Sequence, residues 1–180
     1  MFPIKPRTIL LFFFAVLLTI IANMLTGKYQ DDSQQLLFNP IFSEDLKGWQ
    51  IRGEKGLEVV ADNGIATLES QDKGRSIEVF QELTVSEGEG RFRFTADLQL
   101  ANVEAGEKSW NKARLVFVQY IGGKPDYALR HVVSSLTGTR GWKKYSDVFR
   151  IATNCHVLKV GVQLSQSSGK LSIQNPVYSE

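Results

Sequence analysis

One tryptophan lies in a strongly polar stretch of the sequence. Trp110 falls within residues 104–112 (EAGEKSWNK), where no other large apolar side chain occurs. A Trp side chain combines a large apolar body with a single N–H donor, so it is usually found buried or at an interface. We therefore expect Trp110 to contact a ligand, a protein partner or a lipid headgroup. The alternative is that its ring folds back over the edge of its own domain.

Polar and aromatic side chains also recur at every second position of several apolar segments. In residues 91–100 the apolar side chains share one parity and the polar ones the other. Successive side chains of a strand point to opposite faces, so each such strand has one polar face. If the strands are neighbours in one sheet, their polar faces together form a ligand-binding surface. The alternative interpretation is that these faces are only solvated outer faces of the domain. The candidate residues are Arg93, Asp97, Arg114, Tyr120, Tyr127, His131 and Gln163.

The sequence lacks the motifs of common hydrolase active sites. His131 and His156 do not have the H-E-x-x-H spacing of zinc hydrolases, and no G-x-S-x-G motif occurs. Cys155 and His156 are adjacent, so on a strand they point to opposite faces and cannot form a nucleophile–base pair. Glycoside hydrolysis requires two carboxylates at a set separation across a cleft, whereas the acidic residues here are scattered among turns. We expect a protein without enzymatic activity.

The elements that carry these residues read as strands. From residue 36 onward no stretch has helical apolar periodicity, and short alternating segments are separated by turns rich in Gly, Asn and Asp. About nine short strands at this spacing predict an all-β antiparallel sandwich or barrel. The predicted strands are 57–61, 65–70, 76–83, 91–100, 113–121, 127–134, 142–151, 158–164 and 170–173.

A long apolar run precedes the domain. Residues 8–25 (TILLFFFAVLLTIIANML) carry no charge. As a helix they would span about 27 Å at about 1.5 Å per residue, close to the hydrocarbon thickness of about 30 Å. We assign a transmembrane helix to residues 8–26. A cleaved signal peptide is the alternative, but its apolar region is usually shorter and ends at a small-x-small site, which is missing here.

The charges that flank this run predict its orientation. Lys5 and Arg7 precede it, whereas Lys28 is followed by two acidic residues. The positive-inside rule therefore places residues 1–7 in the cytoplasm, and a polar tether, residues 27–35, leads to an exported domain, residues 36–180. The domain has no Asn-x-Ser/Thr sequon and no pair of cysteines. We expect a single-pass protein of a bacterial inner membrane with its domain in the periplasm.

Composition excludes several classes of protein. The 21 basic and 19 acidic residues give a net charge of +2, so there is no basic excess of the kind that binds nucleic acid. With 43% apolar and 11% aromatic residues the chain is not disordered. Cys155 is the only cysteine, which excludes an internal disulfide framework and argues against a metal site with cysteine thiolate ligands.

The order of short motifs along the domain resembles a known family. The domain opens with LFNPIF, has Gly-Trp at Trp49 and again at Trp142, and ends with SGKLSIQNPV. This order is similar to that of the galactose-binding-like jelly rolls, in particular the carbohydrate-binding modules of xylan and glucan hydrolases. The resemblance covers residues 37–178. It implies a jelly-roll β-sandwich that binds an oligo- or polysaccharide and uses Trp49 and Trp142 as packing residues.

The resemblance also implies a possible structural calcium ion. The family often holds calcium between the opening motif and the closing strand, and calcium prefers several oxygen ligands, including carboxylates. Glu44 and Asp45 could provide them at the front. Two departures weaken this site: Ile41 stands where the family usually has Gly, and Gln174 stands where it usually has Asp. No other cofactor is expected.

Two functions remain open at this point. The first is a membrane-anchored, non-catalytic carbohydrate-binding protein, linked to polysaccharide synthesis or export. The second is an accessory subunit whose sandwich docks another envelope protein while residues 8–26 lie in the lipid bilayer. One fold hosts many functions, so the resemblance alone does not decide between them.

Overall fold

The computed structural model describes residues 37–55, 57–85 and 90–179, and for residues 129–131 it describes the backbone alone. The predicted cytoplasmic segment, transmembrane helix and tether (1–7, 8–26 and 27–35) lie outside these ranges. Within the ranges, no helix is long and apolar enough to cross a bilayer.

Ten strands make up the described domain. Their bounds are β1 Gln50–Gly53, β2 Glu58–Asp62, β3 Ile65–Ser70, β4 Ile77–Thr84, β5 Arg91–Glu104, β6 Ala113–Ile121, β7 Lys124–Leu136, β8 Gly138–Arg150, β9 Cys155–Leu164 and β10 Ser168–Ser179. No α-helix occurs among the described residues. The prediction of an all-β protein is confirmed for this part of the chain.

The strands form two antiparallel sheets of five. The first sheet has the order β1-β4-β9-β6-β7, and the second has the order β2-β3-β10-β5-β8. All strand pairs in both sheets are antiparallel. This is a β-sandwich, in which side chains of alternate parity from each sheet face the other.

The core forms where the two inward faces meet. On β9 the alternate residues Leu158, Val160, Val162 and Leu164 are at most 1% exposed. Aromatic rings contribute to it: the ring centroids of Phe117 on β6 and Phe149 on β8, which belong to different sheets, are 3.4 Å apart. Within the second sheet, Phe92 stacks on the fully buried Tyr178 at 5.3 Å. Burial of these apolar faces holds the sheets together.

All nine predicted strands are present, and one observed strand was not predicted. The strands at 65–70 and 113–121 have the predicted bounds, and the other seven overlap their predictions with ends that are extended or shifted. Strand β1 was not predicted. Its four residues, QIRG, are all exposed, so they show no alternation, and the pairing of β1 with β4 alone makes it a strand.

Gly161 lies at a point where two strands approach closely. It is the outward residue between Val160 and Val162 at the middle of β9, opposite Phe80 of β4. A Cβ atom on Gly161 would lie 2.1 Å from the carbonyl oxygen of Val79 and 2.7 Å from the Cα of Phe80. The sheet therefore requires a residue without a side chain here.

Replacing Gly161 by Ala should destabilise the domain. Because the added methyl group meets backbone atoms, the strands must move apart, and such overpacking typically costs about 1–3 kcal/mol. Gly141→Ala on β8 is the matched control, since a Cβ there has no atom within 4 Å. Urea unfolding of both variants measures the difference. Equal free energies of unfolding would contradict the close approach.

Candidate functional site: a groove on the first sheet

The outward residues of the first sheet form cross-strand rows. In one row Arg52 of β1 pairs with Glu78 of β4, Glu78 with Gln163 of β9, and Gln163 with Arg114 of β6. Neighbouring strands lie about 4.8 Å apart, so this row extends over about 14 Å. In the next row Gly161 lies between the outward positions of β4 and β6.

These rows form the floor of a groove with a volume of about 320 Å³. We call it the first-sheet groove. Its floor combines charged and amide side chains with the two valines of β6, and two aromatic side chains stand at its rim. The lining residues are Arg52, Glu78, Trp110, Arg114, Val116, Val118, Tyr127, Lys159, Gln163 and Ser165.

A largely buried ion pair fixes the floor. Lys159 Nζ donates to both carboxylate oxygens of Glu78, at 3.1 and 3.0 Å, and each side chain is only about a tenth exposed. Arg52 Nη1 lies 3.3 Å from Glu78 Oε1, although its own side chain is 62% exposed. Both cations also lie over the ring of Phe80, with Arg52 Cζ 5.1 Å and Lys159 Nζ 4.8 Å from the centroid. The same ring and the same carboxylate therefore orient both cations.

The exposed rim residues are Trp110 and Tyr127. These residues are 57% and 69% exposed, so each leaves more than half of its surface open to solvent. Tyr127 lies on β7, the edge strand of the first sheet. Trp110 lies in the loop between β5 and β6, and Lys108 Nζ is 5.4 Å from its ring centroid.

Asn111 holds the loop that presents Trp110. Its side chain is 3% exposed, and its Nδ2 donates to Gln166 Oε1 at 2.9 Å, which ties the loop to the β9–β10 turn. Its backbone closes the loop, because Gly106 N donates to the Asn111 carbonyl at 2.9 Å. A Cβ on Gly106 would lie 2.0 Å from the Gln166 carbonyl oxygen, so the loop is closely packed against this turn. Trp110 thus projects from a fixed support.

Tyr120 lies on the same face, near one end of the groove. Burial, the largest cause, raises the pKa of Tyr120 above 10.0, and the negative charge of Glu82 raises it further, while Arg52 opposes the shift. The phenol therefore keeps its proton at neutral pH. It can donate a hydrogen bond to a ligand that reaches this end.

The structure brings together some of the predicted site residues. Trp110, Arg114, Tyr127 and Gln163 line the groove, and Tyr120 lies beside it. The backbone of His131 pairs with Phe117 between β7 and β6, and its side chain lies outside the described part of the structure.

Arg93 and Asp97 lie on the second sheet, so the predicted convergence is wrong for these two residues. Their strand, β5, pairs with β10 and β8 in the second sheet. Their parity is outward as expected, but outward on this sheet means the opposite side of the sandwich. Asp97 Oδ2 accepts a hydrogen bond from Asn175 Nδ2 at 3.1 Å on β10. Parity can be read from a single strand, whereas sheet membership depends on long-range pairing.

Sequence reasoning missed Arg52, Glu78 and Asn111 and gave Lys159 too little weight. Lys159 had a signal, because it interrupts the otherwise apolar β9 segment VLKVGV. A charge at this position needs a partner when the strand is central in a sheet. Arg52 and Asn111 lie in segments without periodicity, and only the tertiary structure shows their positions.

The other two tryptophans, Trp49 and Trp142, differ in burial. Trp49 is 7% exposed, packs on Phe42 at 5.1 Å, and donates from Nε1 to the Asn39 carbonyl at 3.1 Å, which confirms its packing role. Trp142 is 38% exposed on the edge strand β8. The sequence prediction of a packing residue holds only in part for Trp142.

The proposed calcium ligands do not assemble into a ligand cluster. Glu44 and Asp45 are exposed, and Glu44 forms an ion pair with Lys47. The carbonyl oxygens of Asp45 and Lys47 accept hydrogen bonds from Asn39 Nδ2 at 2.9 and 3.2 Å, so an amide crosslinks this loop. Within the described ranges no three His, Cys, Asp or Glu side chains are close enough to hold a metal ion. These residues do not fit the oxygen set that calcium prefers.

Cys155 and His156 point to opposite sides, as predicted. Cys155 is 1% exposed, and His156 is exposed. Burial raises the pKa of the Cys155 thiol above 9.0, which disfavours a reactive thiolate.

A second depression lies on the other side of the molecule. It has a volume of about 280 Å³ at the ends of β3, β5 and β10, and its lining contains no aromatic residue and no apolar side chain larger than Ala. Small-molecule sites combine an apolar surface with a few polar groups. The first-sheet groove has this combination, and we therefore assign the candidate site to it.

Comparison with known proteins gives information on the fold. No protein family model matches this chain, and no curated protein matches it. A family 16 carbohydrate-binding module has a TM-score of 0.60 at 13% identity over 81% of this chain and 99% of its own. A family 61 module in complex with β-1,4-galactotriose has a TM-score of 0.55 at 20% identity over 82% of this chain and 100% of its own.

An enzyme domain also shares the fold. The enzymatically active domain of tailspike protein 4 from bacteriophage CBA120 has a TM-score of 0.61 at 12% identity. The match covers 81% of this chain but only 21% of the matched enzyme-domain chain, so only that part of it shares the fold. These similarities establish a β-sandwich of the kind found in carbohydrate-binding modules.

Loss of Glu78 should destabilise the domain more than loss of Lys159. Glu78→Gln leaves Lys159 largely buried without a carboxylate, and breaking a buried pair in this way costs about 3–5 kcal/mol. Lys159→Met keeps the apolar stem and leaves Glu78 with Arg52, so a smaller loss is expected. The double variant should be more stable than Glu78→Gln alone. Thermal and urea unfolding test the order, and equal effects of the two single substitutions would contradict it.

Proposed function

We propose that this protein is a non-catalytic carbohydrate-binding protein that binds an oligo- or polysaccharide in the first-sheet groove. One observation carries the proposal: two exposed aromatic side chains, Trp110 and Tyr127, stand at the rim of a groove whose floor carries charged and amide groups. Aromatic faces stack on the apolar faces of sugar rings, and polar groups bind the hydroxyls. The carbohydrate-binding modules that share the fold support the same conclusion.

We further propose that the domain is anchored in a bacterial inner membrane and lies in the periplasm. The uncharged run at residues 8–26 and the basic residues before it support this location. A binding domain on such an anchor would hold a polysaccharide near the membrane during its synthesis or export.

Replacement of Trp110 by Ala should weaken glycan binding. Loss of one stacked ring costs about 1–3 kcal/mol for a typical interface aromatic, which is about fivefold or more in Kd. Tyr127→Ala should act in the same direction. The measurement is affinity electrophoresis or calorimetry with the glycan that a glycan array identifies, using the full-length chain in a detergent without sugar headgroups.

Trp142→Ala is the matched control, since Trp142 is an exposed tryptophan on the second sheet. Its Kd should equal that of the unchanged chain. If Trp142→Ala weakens binding and Trp110→Ala does not, the groove assignment is wrong. If no bacterial or plant glycan is retained at all, the carbohydrate-binding proposal itself fails.

Residues 8–26 should anchor the chain in the membrane. The full-length chain is expected to stay in the membrane pellet after an alkaline carbonate wash, and a chain that begins at residue 36 should be soluble. External protease should digest the domain in spheroplasts but not in intact cells. Release of the full-length chain by carbonate would contradict the anchor, and digestion only from the cytoplasmic side would contradict the orientation.

A second candidate function is that of an accessory subunit that docks another envelope protein. The observation in its favour is the set of apolar side chains exposed on the second sheet, where Trp142, Val148 and Val177 are 38–47% exposed. This candidate predicts that a specific envelope protein co-purifies and is lost with Val148→Ser, whereas Trp110→Ala leaves the complex intact. The glycan experiments above give no binding if this is the sole function.

A further inference from the structure

Two large apolar side chains are exposed close to the point where the described chain begins. Phe38 and Ile41 are 53% and 57% exposed, although Leu37 and Phe42, which flank them, are only 5% and 3% exposed. Phe38 is the second residue that the structure describes. We call residues 37–49, which lead into β1, the opening loop. Its two exposed side chains leave apolar surface in water, which is unfavourable unless something covers them.

The opening loop holds these side chains outward by fixed contacts. Phe38 N donates to Gln81 Oε1 at 3.0 Å, and Gln81 Nε2 donates back to the Phe38 carbonyl. Asn39 Nδ2 donates to two carbonyl oxygens further along the loop, at 2.9 and 3.2 Å. The exposure of Phe38 and Ile41 is therefore a property of a well-supported loop.

The opening loop lies at one edge of the sandwich. Strands β1 and β2 are the outer strands of the two sheets on this side, because β4 contacts β3 and β7 contacts β8 across the sandwich. A Cβ on Gly64, in the β2–β3 turn, would lie 3.2 Å from the Ile41 carbonyl oxygen, so the loop also reaches the second sheet. Each outer strand exposes one more apolar residue, Ile51 at 51% and Val60 at 56%. We call the opening loop with β1 and β2 the entry edge.

The charges of the entry edge favour an apolar contact over an electrostatic one. Glu44 is already paired with Lys47, and Arg52 lies beside Glu78. The acidic residues outnumber the basic ones, so this edge does not attract an anionic surface. The charged residues of the entry edge are Glu44, Asp45, Glu58 and Asp62 against Lys47 and Arg52.

The chain before the opening loop indicates what covers this edge. If residues 8–26 lie in a bilayer, as proposed above, the eleven residues 27–37 join that bilayer to Phe38. This connection reaches at most about 40 Å when fully extended. A short connection keeps the bilayer surface at a high effective concentration beside the entry edge, so even a weak apolar contact is populated.

We propose that the entry edge binds the surface of a phospholipid bilayer through Phe38 and Ile41. This inference rests on the proposed membrane anchor and goes beyond the proposed function, because it assigns a second binding surface to the domain. Strand β7, which carries Tyr127, is at the opposite edge of the first sheet. The aromatic rim of the first-sheet groove is then directed away from the lipid and stays accessible to a polysaccharide.

Methyl NMR of the full-length chain in phosphatidylcholine nanodiscs tests the proposal. A gadolinium chelate on some lipid headgroups increases the relaxation of nearby methyl groups, and this enhancement falls steeply with distance. The enhancement should be several-fold larger at Ile41 than at Val148. Val148 is the matched control, since it is 47% exposed on β8, at the opposite edge of the second sheet.

Substitutions then test whether the apolar side chains make the contact. Ile41→Ser should reduce the enhancement at Ile51 and Val60 several-fold, and Phe38→Ser should act in the same direction. Val148→Ser should leave both values unchanged. Replacing part of the phosphatidylcholine by phosphatidylglycerol should not raise the enhancement, because the contact is apolar and the edge has more acidic than basic residues. Thermal unfolding verifies that the variants are folded.

Three results would overturn the inference. Equal enhancement at Ile41 and Val148 means that no edge of the domain prefers the lipid, as expected if the tether, a second copy or a protein covers Phe38. A larger enhancement at Val148 assigns the lipid contact to the opposite edge. A chain that does not stay with the nanodiscs removes the proposed anchor together with this inference. In all three cases glycan binding in the first-sheet groove is measured separately and is unaffected.

Discussion

The candidate site is built on strands β4 and β9, whose close approach depends on the absence of a side chain at Gly161. The carbonyl oxygen of Val79 occupies the space that a Cβ would need, so β4 and β9 can approach only if this residue is glycine. Gly161 is outward at the centre of the first sheet, and its outward neighbours on β9, Lys159 and Gln163, both line the groove. On the neighbouring strand β6, Arg114 pairs with Gln163, Val116 pairs with Gly161, and Val118 pairs with Lys159.

Charged and aromatic side chains then determine the chemical character of the first-sheet groove. The Lys159–Glu78 pair is expensive to bury, and its cost is offset by two charged hydrogen bonds and by contact with the Phe80 ring. Buried pairs of this kind contribute little net stability, so the main consequence of this pair is the charged surface that it gives the groove. At the rim of the groove, Asn111 fixes the loop that carries the exposed Trp110. Both sets of contacts keep the groove in one arrangement before a ligand arrives, which lowers the entropy cost of binding.

The sequence predicted the strands far better than their assembly. The bounds of β3 and β6 were predicted as observed. In β3 buried and half-buried residues alternate, whereas β6 is a mostly apolar segment that is buried on both faces. The sequence also indicated Trp110, Arg114, Tyr127 and Gln163, all of which line the groove. It grouped Arg93 and Asp97 with them, although β5 lies in the second sheet. A period of two gives the parity of a residue but not the identity of the neighbouring strand, and β1 shows no period at all.

The most direct test of the account is to map ligand contacts on the folded chain. Amide and indole NMR signals of the full-length chain in sugar-free micelles can be followed while the glycan that binds best is added. The account predicts changes at the Gly161 and Lys159 amides and at the Trp110 indole, with Arg93 and Asp97 unaffected. Changes confined to the second sheet, around Arg93 and Asp97, would contradict it and place the functional surface on the other side of the sandwich.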